Sequence, residues 1–350
     1  MSLSYGRSDI SNLVYNNAIP LKYDIKVNKK KNERKFNNDL RLLLSELLFI
    51  TRYVKYDDKY PKIIYIGAAP GFHLVKLMKM CPDITFDLYD DRPFHEELEQ
   101  YSHDYSDQVT LFREKFTSES CDKYDSCGYD IYLITDHKDP KFMEDPIFPK
   151  DAKHIEIKKQ FQDDKEKSYL DDMEFQKEIC KRLNPTYAFL RFRPPHFYSG
   201  VSPEPANFNY FYGTIWLMIF NDYKSTESRI AVNDFTVDNF SWNYKDYQYR
   251  LNYFNDETRE SLLLNPVTKD QTPLPNQLGN KFETVMMFQI IKEYFSTIDL
   301  ESPTIDDLIS FYVDFLVVES CSDVPGIFTG CDFLQKKDDE TCYNPDDFEN

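Results

Sequence analysis

The chain has 350 residues, enough to bury a sizeable core, and aromatic residues make up 16% of it, which argues against an intrinsically disordered protein. Its formal net charge of −18 argues against a general nucleic-acid coat, although a local basic groove is compatible with RNA binding. Seven scattered cysteines, none at C-x-x-C spacing, argue against a disulfide framework and a structural zinc site, so we expect no bound metal.

The two ends of the chain differ in charge. The first fifty residues hold nine basic and five acidic residues, whereas residues 301–350 hold two basic and 13 acidic ones. Residues 1–35 lack a clear hydrophobic period and predict an N-terminal arm, while 321–350 predict a solvated acidic tail, which leaves one domain over 36–320. The sequence has no apolar signal core and no run of about 18 apolar residues, so we expect a soluble, intracellular protein without membrane contact.

Hydrophobic periodicity predicts alternating strands and helices. A helix begins at Asn37 or Asn38 and continues to Ile50. Strands are predicted at 62–67, 85–89, 109–112, 130–135, 188–192, 214–220 and 229–232, and further helices at 72–80, 95–102, 168–183, 280–295 and 304–318. We interpret 137–165 as a charged surface excursion and 193–212 as an aromatic-rich loop. The alternation predicts an α/β fold with a mostly parallel central sheet and helices on both faces.

The turn between the first predicted strand and the next helix carries the most specific signal. Gly67 and Gly71 allow a backbone to approach a ligand closely, and the helix that follows offers free N–H groups to an anion. Their spacing differs from the dinucleotide fingerprint and from the Walker loop, which argues against NAD and ATP. S-adenosylmethionine (SAM) is the ligand that this turn favours.

Charged residues lie at or just after the ends of three of the predicted strands, at the edge where α/β sheets bind ligands. Asp90 is placed to hold ribose hydroxyls, and Asp136 to hold a methyl donor or orient a cationic partner, although turn aspartates are common after any strand. Arg191 and Arg193 lead into the aromatic loop, where arginines suit contact with phosphate or RNA, or form surface ion pairs.

Six segments of the chain resemble, in order and spacing, a known family. They are residues 40–47, 65–73, 88–92, 134–136, 184–193 and 225–229. They are similar to the poxvirus-type cap-specific mRNA 2′-O-methyltransferases, viral proteins that double as the regulatory subunit of the poly(A) polymerase. The resemblance implies a Rossmann-like SAM-dependent methyltransferase fold, with capped mRNA and a poly(A) polymerase catalytic subunit or other transcription machinery as partners. It also implies a location in the host cytoplasm or in the virion.

The resemblance assigns roles to individual residues. The catalytic Lys-Asp-Lys-Glu tetrad of the family falls on Arg41, Asp136, Arg191 and Glu227. The implied SAM contacts are Asp39 (a glutamine in the family), Tyr65, Gly67, Ala69, Gly71, His73, Asp90, Arg92 and Asp136. The aromatic cap pocket falls on or near His196, Phe197, Tyr223 and Lys224.

Both tetrad lysines are arginines in this chain, and this changes the expected chemistry. Methyl transfer to a ribose 2′-hydroxyl needs that group oriented and its proton removed, and the family's second lysine is taken to be the base. Arg191 can position the ribose, but an arginine with a pKa above about 12 does not give up its proton. Three functions therefore stay open: a cap 2′-O-methyltransferase with a base from elsewhere, a catalytically lapsed regulatory subunit, and a methyltransferase for another substrate.

Overall fold

The computed structural model describes residues 10–14, 38–56, 60–137, 141, 152–194, 207–221, 225, 227–237, 240–259 and 282–297. These residues fall into two compact units. Ser11–Thr258 contains the sheet, whereas Ile10, Arg259 and the helix Phe282–Thr297 belong to the second unit. Most of the arm predicted at 1–35, the helix predicted at 304–318 and the tail predicted at 321–350 lie outside the described residues, so the predicted domain limits remain predictions.

In chain order, the helices are α1 (Asn38–Tyr53), α2 (Leu74–Met80), α3 (Glu96–Asp104), α4 (Ala152–Leu183), α5 (Tyr244–Tyr253) and α6 (Phe282–Thr297). The strands are β1 (Pro61–Ile66), β2 (Thr85–Tyr89), β3 (Val109–Phe112), β4 (Asp130–Thr135), β5 (Tyr187–Phe192), β6 (Asn207–Tyr210), β7 (Thr214–Trp216), β8 (Ser228–Val232) and β9 (Phe240–Asn243). Short 3₁₀ segments lie at Ile10–Leu13 and Glu119–Tyr124, and a π-helical turn at Phe254–Thr258 follows α5.

Seven of these strands form one sheet in the order β3-β2-β1-β4-β5-β8-β7. The strands β1 to β5 are parallel, and β8 runs antiparallel between β5 and β7. On one side of the sheet the chain moves outward from β1 through β2 to β3. On the other side it moves outward from β4 through β5 to β7, and β8 then inserts between β5 and β7. The strand order therefore switches between β1 and β4. Ligands of open α/β sheets bind beyond the carboxyl ends of the strands at such a switch point. The predicted Rossmann-like α/β fold with a mostly parallel sheet is confirmed.

Helix α1 is a core helix that carries charge. Leu40 to Ile50 are all buried, which matches the apolar run seen in the sequence. Two charged side chains, Arg41 and Glu46, lie within this buried run. Because a buried charge without a partner is strongly destabilising, both need partners on the elements that pack against α1.

Several sequence predictions about the second half of the sheet unit are wrong. Residues 152–165, interpreted as surface excursion, form the first turns of α4, where lysine, glutamate and glutamine favour a helix without an apolar stripe. The loop predicted at 193–212 contains β6, which pairs with the unpredicted strand β9, and helix α5 was also not predicted. The strand predicted to reach residue 220 ends at Trp216, which forms an isolated antiparallel bridge with Val14, and Leu217 N–H donates to Leu13 O (2.7 Å).

Within the described ranges, no helix combines the length and the apolar character needed to cross a membrane. The four cysteines in these ranges, Cys81, Cys121, Cys127 and Cys180, are all free thiols.

Candidate functional site

A cleft of about 220 Å³ opens at the carboxyl edge of the sheet, at the switch point between β1 and β4. Its wall comes from the start of α1, the loop between β1 and α2, and residues that follow β2 and β4. Eight of the nine residues assigned to SAM from the sequence line it, namely Asp39, Tyr65, Gly67, Ala69, Gly71, His73, Arg92 and Asp136. The fold therefore brings together residues that are up to 97 positions apart in the chain.

The loop after β1 depends on two glycines in the left-handed region of backbone conformation. Gly67 has a φ of +84° and Gly71 a φ of +79°. A Cβ on Gly67 would lie 2.5 Å from the backbone nitrogen of His137, and one on Gly71 would lie 2.5 Å from Leu98 Cδ2. The two glycines thus allow the loop to pack against the protein itself, on the segment after β4 and on α3.

We expect Gly67→Ala to lower the free energy of unfolding by about 1–3 kcal/mol, because alanine is strained at positive φ and its methyl group would meet rigid backbone. Denaturant unfolding followed by tryptophan fluorescence measures this, since Trp216 and Trp242 both lie in the Ser11–Thr258 unit. Gly128→Ala is the matched control, because a Cβ there has no described heavy atom within 4 Å. Equal stabilities of the two variants would contradict the close packing at Gly67.

Asp90 organises the loop and is the one assigned SAM residue that does not line the cleft. Its Oδ2 accepts hydrogen bonds from Ala69 N–H (2.9 Å) and Arg92 Nη2 (2.7 Å), and its Oδ1 accepts from the backbone N–H and Nε of Arg92 (both 2.9 Å). Burial favours a raised pKa, but these hydrogen bonds prevail and lower the pKa of Asp90. All four acceptor positions of the carboxylate are taken, so a ribose contact there would require Arg92 to move.

Glu46 of α1 contacts two residues of the cleft wall, Tyr65 and His73, a role that the sequence prediction missed. Its Oε1 accepts the Tyr65 hydroxyl (2.7 Å), and its Oε2 lies 3.0 Å from His73 Nε2. His73 Nδ1 lies 3.8 Å from Asp39 Oδ1, too far for a hydrogen bond, and this buried nitrogen has no hydrogen-bond partner among the described residues. Burial opposes a charge on His73, but Glu46 and Asp39 outweigh it and raise the pKa to about 9.

Three of the four residues assigned to the tetrad form one buried ion-pair chain. Arg41 Nη1 donates to Glu227 Oε1 (2.9 Å), and Arg191 Nη2 donates to Glu227 Oε2 (3.1 Å). Arg41 also donates to Asn38 Oδ1 at the start of α1. All of the side chains of Arg41, Arg191 and Glu227 are at most 5% exposed, so the carboxylate is shared by two guanidinium groups away from solvent.

The fourth residue, Asp136, is linked to these ion pairs through Arg229, which the sequence prediction missed. Arg229 is fully buried on β8 and donates to Asp136 Oδ1 and to the Thr135 carbonyl oxygen. Arg229 Nη2 is also 3.7 Å from Glu227 Oε1. A third acid, Asp172 of α4, lies 3.5 Å from Arg191 Nη1. Three arginines and three carboxylates therefore form one buried network next to the cleft.

The network cannot supply a base through its arginines. Burial works against a charge on Arg191, but Glu227, Asp136 and Asp172 outweigh it and raise its pKa above the ordinary value. The pKa of Arg229 is raised in the same way by Asp136 and Glu227. The arginines can therefore hold and orient a polar group by charge, but they cannot remove a proton from it.

The other predicted contacts are placed as follows. Arg193, just after β5, lies with its guanidinium carbon 4.0 Å from the centre of the Tyr169 ring.

The cap-pocket candidates His196, Phe197, Tyr223 and Lys224 lie outside the described residues, so this pocket remains a prediction. Where the structure is described, it contains no group of three His, Cys, Asp or Glu side chains that could hold a metal ion.

Comparisons with known proteins identify the family. A family model described as poly A polymerase regulatory subunit matches residues 11–313, which is well over half of the chain. A search among individual curated proteins gives no significant match. The matched range includes the glycine loop, the buried network and both partners of every ion pair in it. The chain belongs to the poly(A) polymerase regulatory subunit family.

Proposed function

We propose that this chain binds SAM in the cleft at the β1–β4 switch point and transfers its methyl group to the ribose 2′-hydroxyl of capped RNA, in addition to serving a poly(A) polymerase as a regulatory subunit. The observation that carries this proposal is the position of the cleft, which shares Asp136 with the buried network. A ligand in the cleft would have its reactive end beside groups suited to hold a polar substrate. This is the geometry that a transfer reaction between two bound molecules needs.

The chemistry of the cleft wall fits SAM, which would supply a methyl group activated by its sulfonium charge. The carboxylates of Asp39 and Asp136 suit its ammonium group or ribose hydroxyls. His73 is protonated at neutral pH and has a buried Nδ1 without a hydrogen-bond partner among the described residues, which suits the SAM carboxylate. Leu42, Pro70 and Phe72 add the apolar surface that an adenine ring needs.

The RNA part of the proposal is supported by Arg193. Arg41, Arg191 and Arg229 are all paired with carboxylates in the network. Arg193, by contrast, stacks on Tyr169 and has no ion pair with a carboxylate in the described ranges. A guanidinium group over an aromatic ring, without an acidic partner among the described residues, suits a phosphate of the RNA backbone.

A second candidate function is a SAM-binding regulatory subunit that has lost methyl transfer. It is favoured by Arg191, which occupies the position of the family's base and cannot lose its proton among three acids. The polymerase partner follows from the family and belongs to both candidates. The two differ in a single property, which is transfer to the 2′-hydroxyl.

The test is calorimetric titration of the full chain with SAM, followed by transfer assays on capped RNA with wild type and Arg191→Lys. We expect SAM binding and transfer by the wild type, and no gain from Arg191→Lys, because Glu227, Asp136 and Asp172 would keep the lysine protonated. Arg113→Lys, in an exposed ion pair with Glu99, is the matched control.

The other outcomes separate the candidates. SAM binding without transfer by the wild type, with transfer gained in Arg191→Lys, would support the lapsed enzyme. Absence of SAM binding would contradict both. The polymerase role is tested separately, by co-purification with a poly(A) polymerase catalytic subunit and by the length of the tails that this subunit makes with and without the chain; no effect in either assay would count against it.

A further inference from the structure

We propose that His137 is the general base of the methyl transfer and that Asp172 positions it. This inference rests on the proposed function, since it assigns the proton acceptor that the arginine network lacks. Neither residue is part of the tetrad or of the SAM contacts derived from the sequence. His137 directly follows Asp136 at the end of β4, and Asp172 lies on α4.

The backbone of His137 is fixed between the cleft and the network. Its nitrogen lies so close to Gly67 that a Cβ on that glycine would be 2.5 Å away. Its carbonyl oxygen accepts a hydrogen bond from Arg191 Nη1 (3.1 Å). The backbone of His137 therefore lies at the boundary between the proposed methyl-donor site and the proposed ribose site.

The side chain of His137 combines access with an acidic neighbour. It is 37% exposed to solvent, whereas the tetrad side chains are buried. Its Nε2 lies 3.9 Å from Asp172 Oδ1, and its ring centre lies 6.0 Å from that of Phe175 on the same helix. With Nε2 turned toward Asp172, Nδ1 is the nitrogen left for the substrate proton, and the carboxylate stabilises the imidazolium that forms.

The charges around the ring keep the imidazole neutral and ready to accept a proton. Burial lowers the pKa of His137 below its ordinary value of 6.5, Asp90 works in the opposite direction, and the nearby cations lower the pKa further. The charged groups that act on the ring from the surrounding elements are Asp90, Arg92, Lys115, Arg191 and Asp172. At neutral pH the base is therefore in its active form, which an arginine or a protonated lysine is not.

The proposed step balances without any further reactant. The 2′-hydroxyl O–H bond breaks and its proton moves to Nδ1 of His137, while the ribose oxygen bonds to the methyl carbon. As this bond forms, the carbon–sulfur bond breaks and its electron pair stays on sulfur, which becomes a neutral thioether. The imidazolium then releases its proton to water. Arg191 and Arg41 stay protonated throughout and act by charge alone.

The first measurement is the pH dependence of transfer to capped RNA by the full chain. For the wild type we expect the rate constant to rise up to the pKa of His137, below 6.5, and to stay level at higher pH. His137→Gln is expected to lower the rate constant about 100-fold at pH 7, with SAM affinity unchanged. The pH-independent region above the pKa of His137 should also disappear from the profile. His103→Gln is the matched control, since that side chain is 84% exposed and does not line the cleft.

The second measurement does not depend on transfer. NMR titration of histidine-labelled protein without SAM follows the His137 imidazole, identified by its loss in His137→Gln. We expect a pKa below 6.5 that falls further in Asp172→Asn, because the carboxylate stabilises the imidazolium. A pKa that does not move in Asp172→Asn would overturn the positioning role.

The outcomes distinguish this inference from the proposed function. Wild-type transfer together with an unchanged rate and pH profile in His137→Gln would overturn His137 as the base and leave the proposed function intact. SAM binding without transfer at any pH would overturn both the base and the transfer reaction, and leave the cofactor site. If His137→Gln does not fold, Asp172→Asn tests the same inference. We then expect a lower rate constant and a plateau of the pH profile that begins at a lower pH than in the wild type.

Discussion

Replacing Glu227 with glutamine is expected to lower the free energy of unfolding of the Ser11–Thr258 unit by about 3–5 kcal/mol. The Glu227 carboxylate is shared by Arg41 and Arg191 and also lies near Arg229, all buried. Glutamine keeps the shape but removes the negative charge, which leaves the three guanidinium groups of the network with two of its three carboxylates. Removal of one partner from a buried ionic group costs far more than such a pair contributes at the surface.

Denaturant unfolding followed by tryptophan fluorescence measures this effect, because Trp216 and Trp242 lie in the same unit as the network. Glu174→Gln is the matched control. Its carboxylate is 66% exposed and pairs with Lys177 on the surface of α4, so we expect a change of at most about 1 kcal/mol. Equal effects of the two substitutions would show that the buried network does not carry the stability that its geometry implies.

The sequence was sufficient to predict the strands of the sheet and the loop between β1 and α2, because both depend on local patterns. Short β-branched runs predicted β1 to β5 within one residue of their ends, and the glycine spacing marked the loop that closes the cleft. The charged first half of α4 was interpreted wrongly, since a helix without an apolar stripe has no hydrophobic period to detect. Strands β6 and β9 were missed because each is only four residues long and pairs outside the main sheet.

The partners of the candidate catalytic residues could not be predicted, because each joins distant parts of the chain. Arg229 is 93 residues from Asp136, and Asp172 is 19 residues from Arg191 on a separate helix. Glu46 was visible as a single acid in the leucine-rich run of α1, and its burial follows from that run. Its role beneath Tyr65 and His73 is evident only when α1 packs against the loop after β1.

These partners also explain how arginine is accommodated at both lysine positions of the tetrad. Each guanidinium has several donors, and Arg191 uses them on Glu227 and on the His137 carbonyl while it lies near Asp172. A lysine ammonium could not reach three such groups in a plane. In the proposed function, the network therefore binds and positions the substrate by its fixed charge, and proton transfer is assigned to His137.

Stability is expected to decrease by about 3 kcal/mol between pH 6.5 and 9 because of His73 alone. The pKa of this buried imidazole is raised to about 9 in the folded protein, against 6.5 for an ordinary histidine, since Glu46 and Asp39 outweigh burial. A folded-state pKa above the unfolded value means that the protonated form favours folding. The contribution is therefore complete below pH 6.5 and is lost as the pH rises through 9.

The measurement is the free energy of unfolding of the wild type and of His73→Gln across this pH range, with tryptophan fluorescence as the probe. Because other groups also titrate, the difference between the two curves isolates His73, and it should shrink by about 3 kcal/mol from pH 6.5 to 9. His103→Gln, at an exposed site, should give a curve parallel to the wild type. Parallel curves for His73→Gln would mean that the imidazole is neutral in the fold, and the cleft would then lack the cation assigned to the SAM carboxylate.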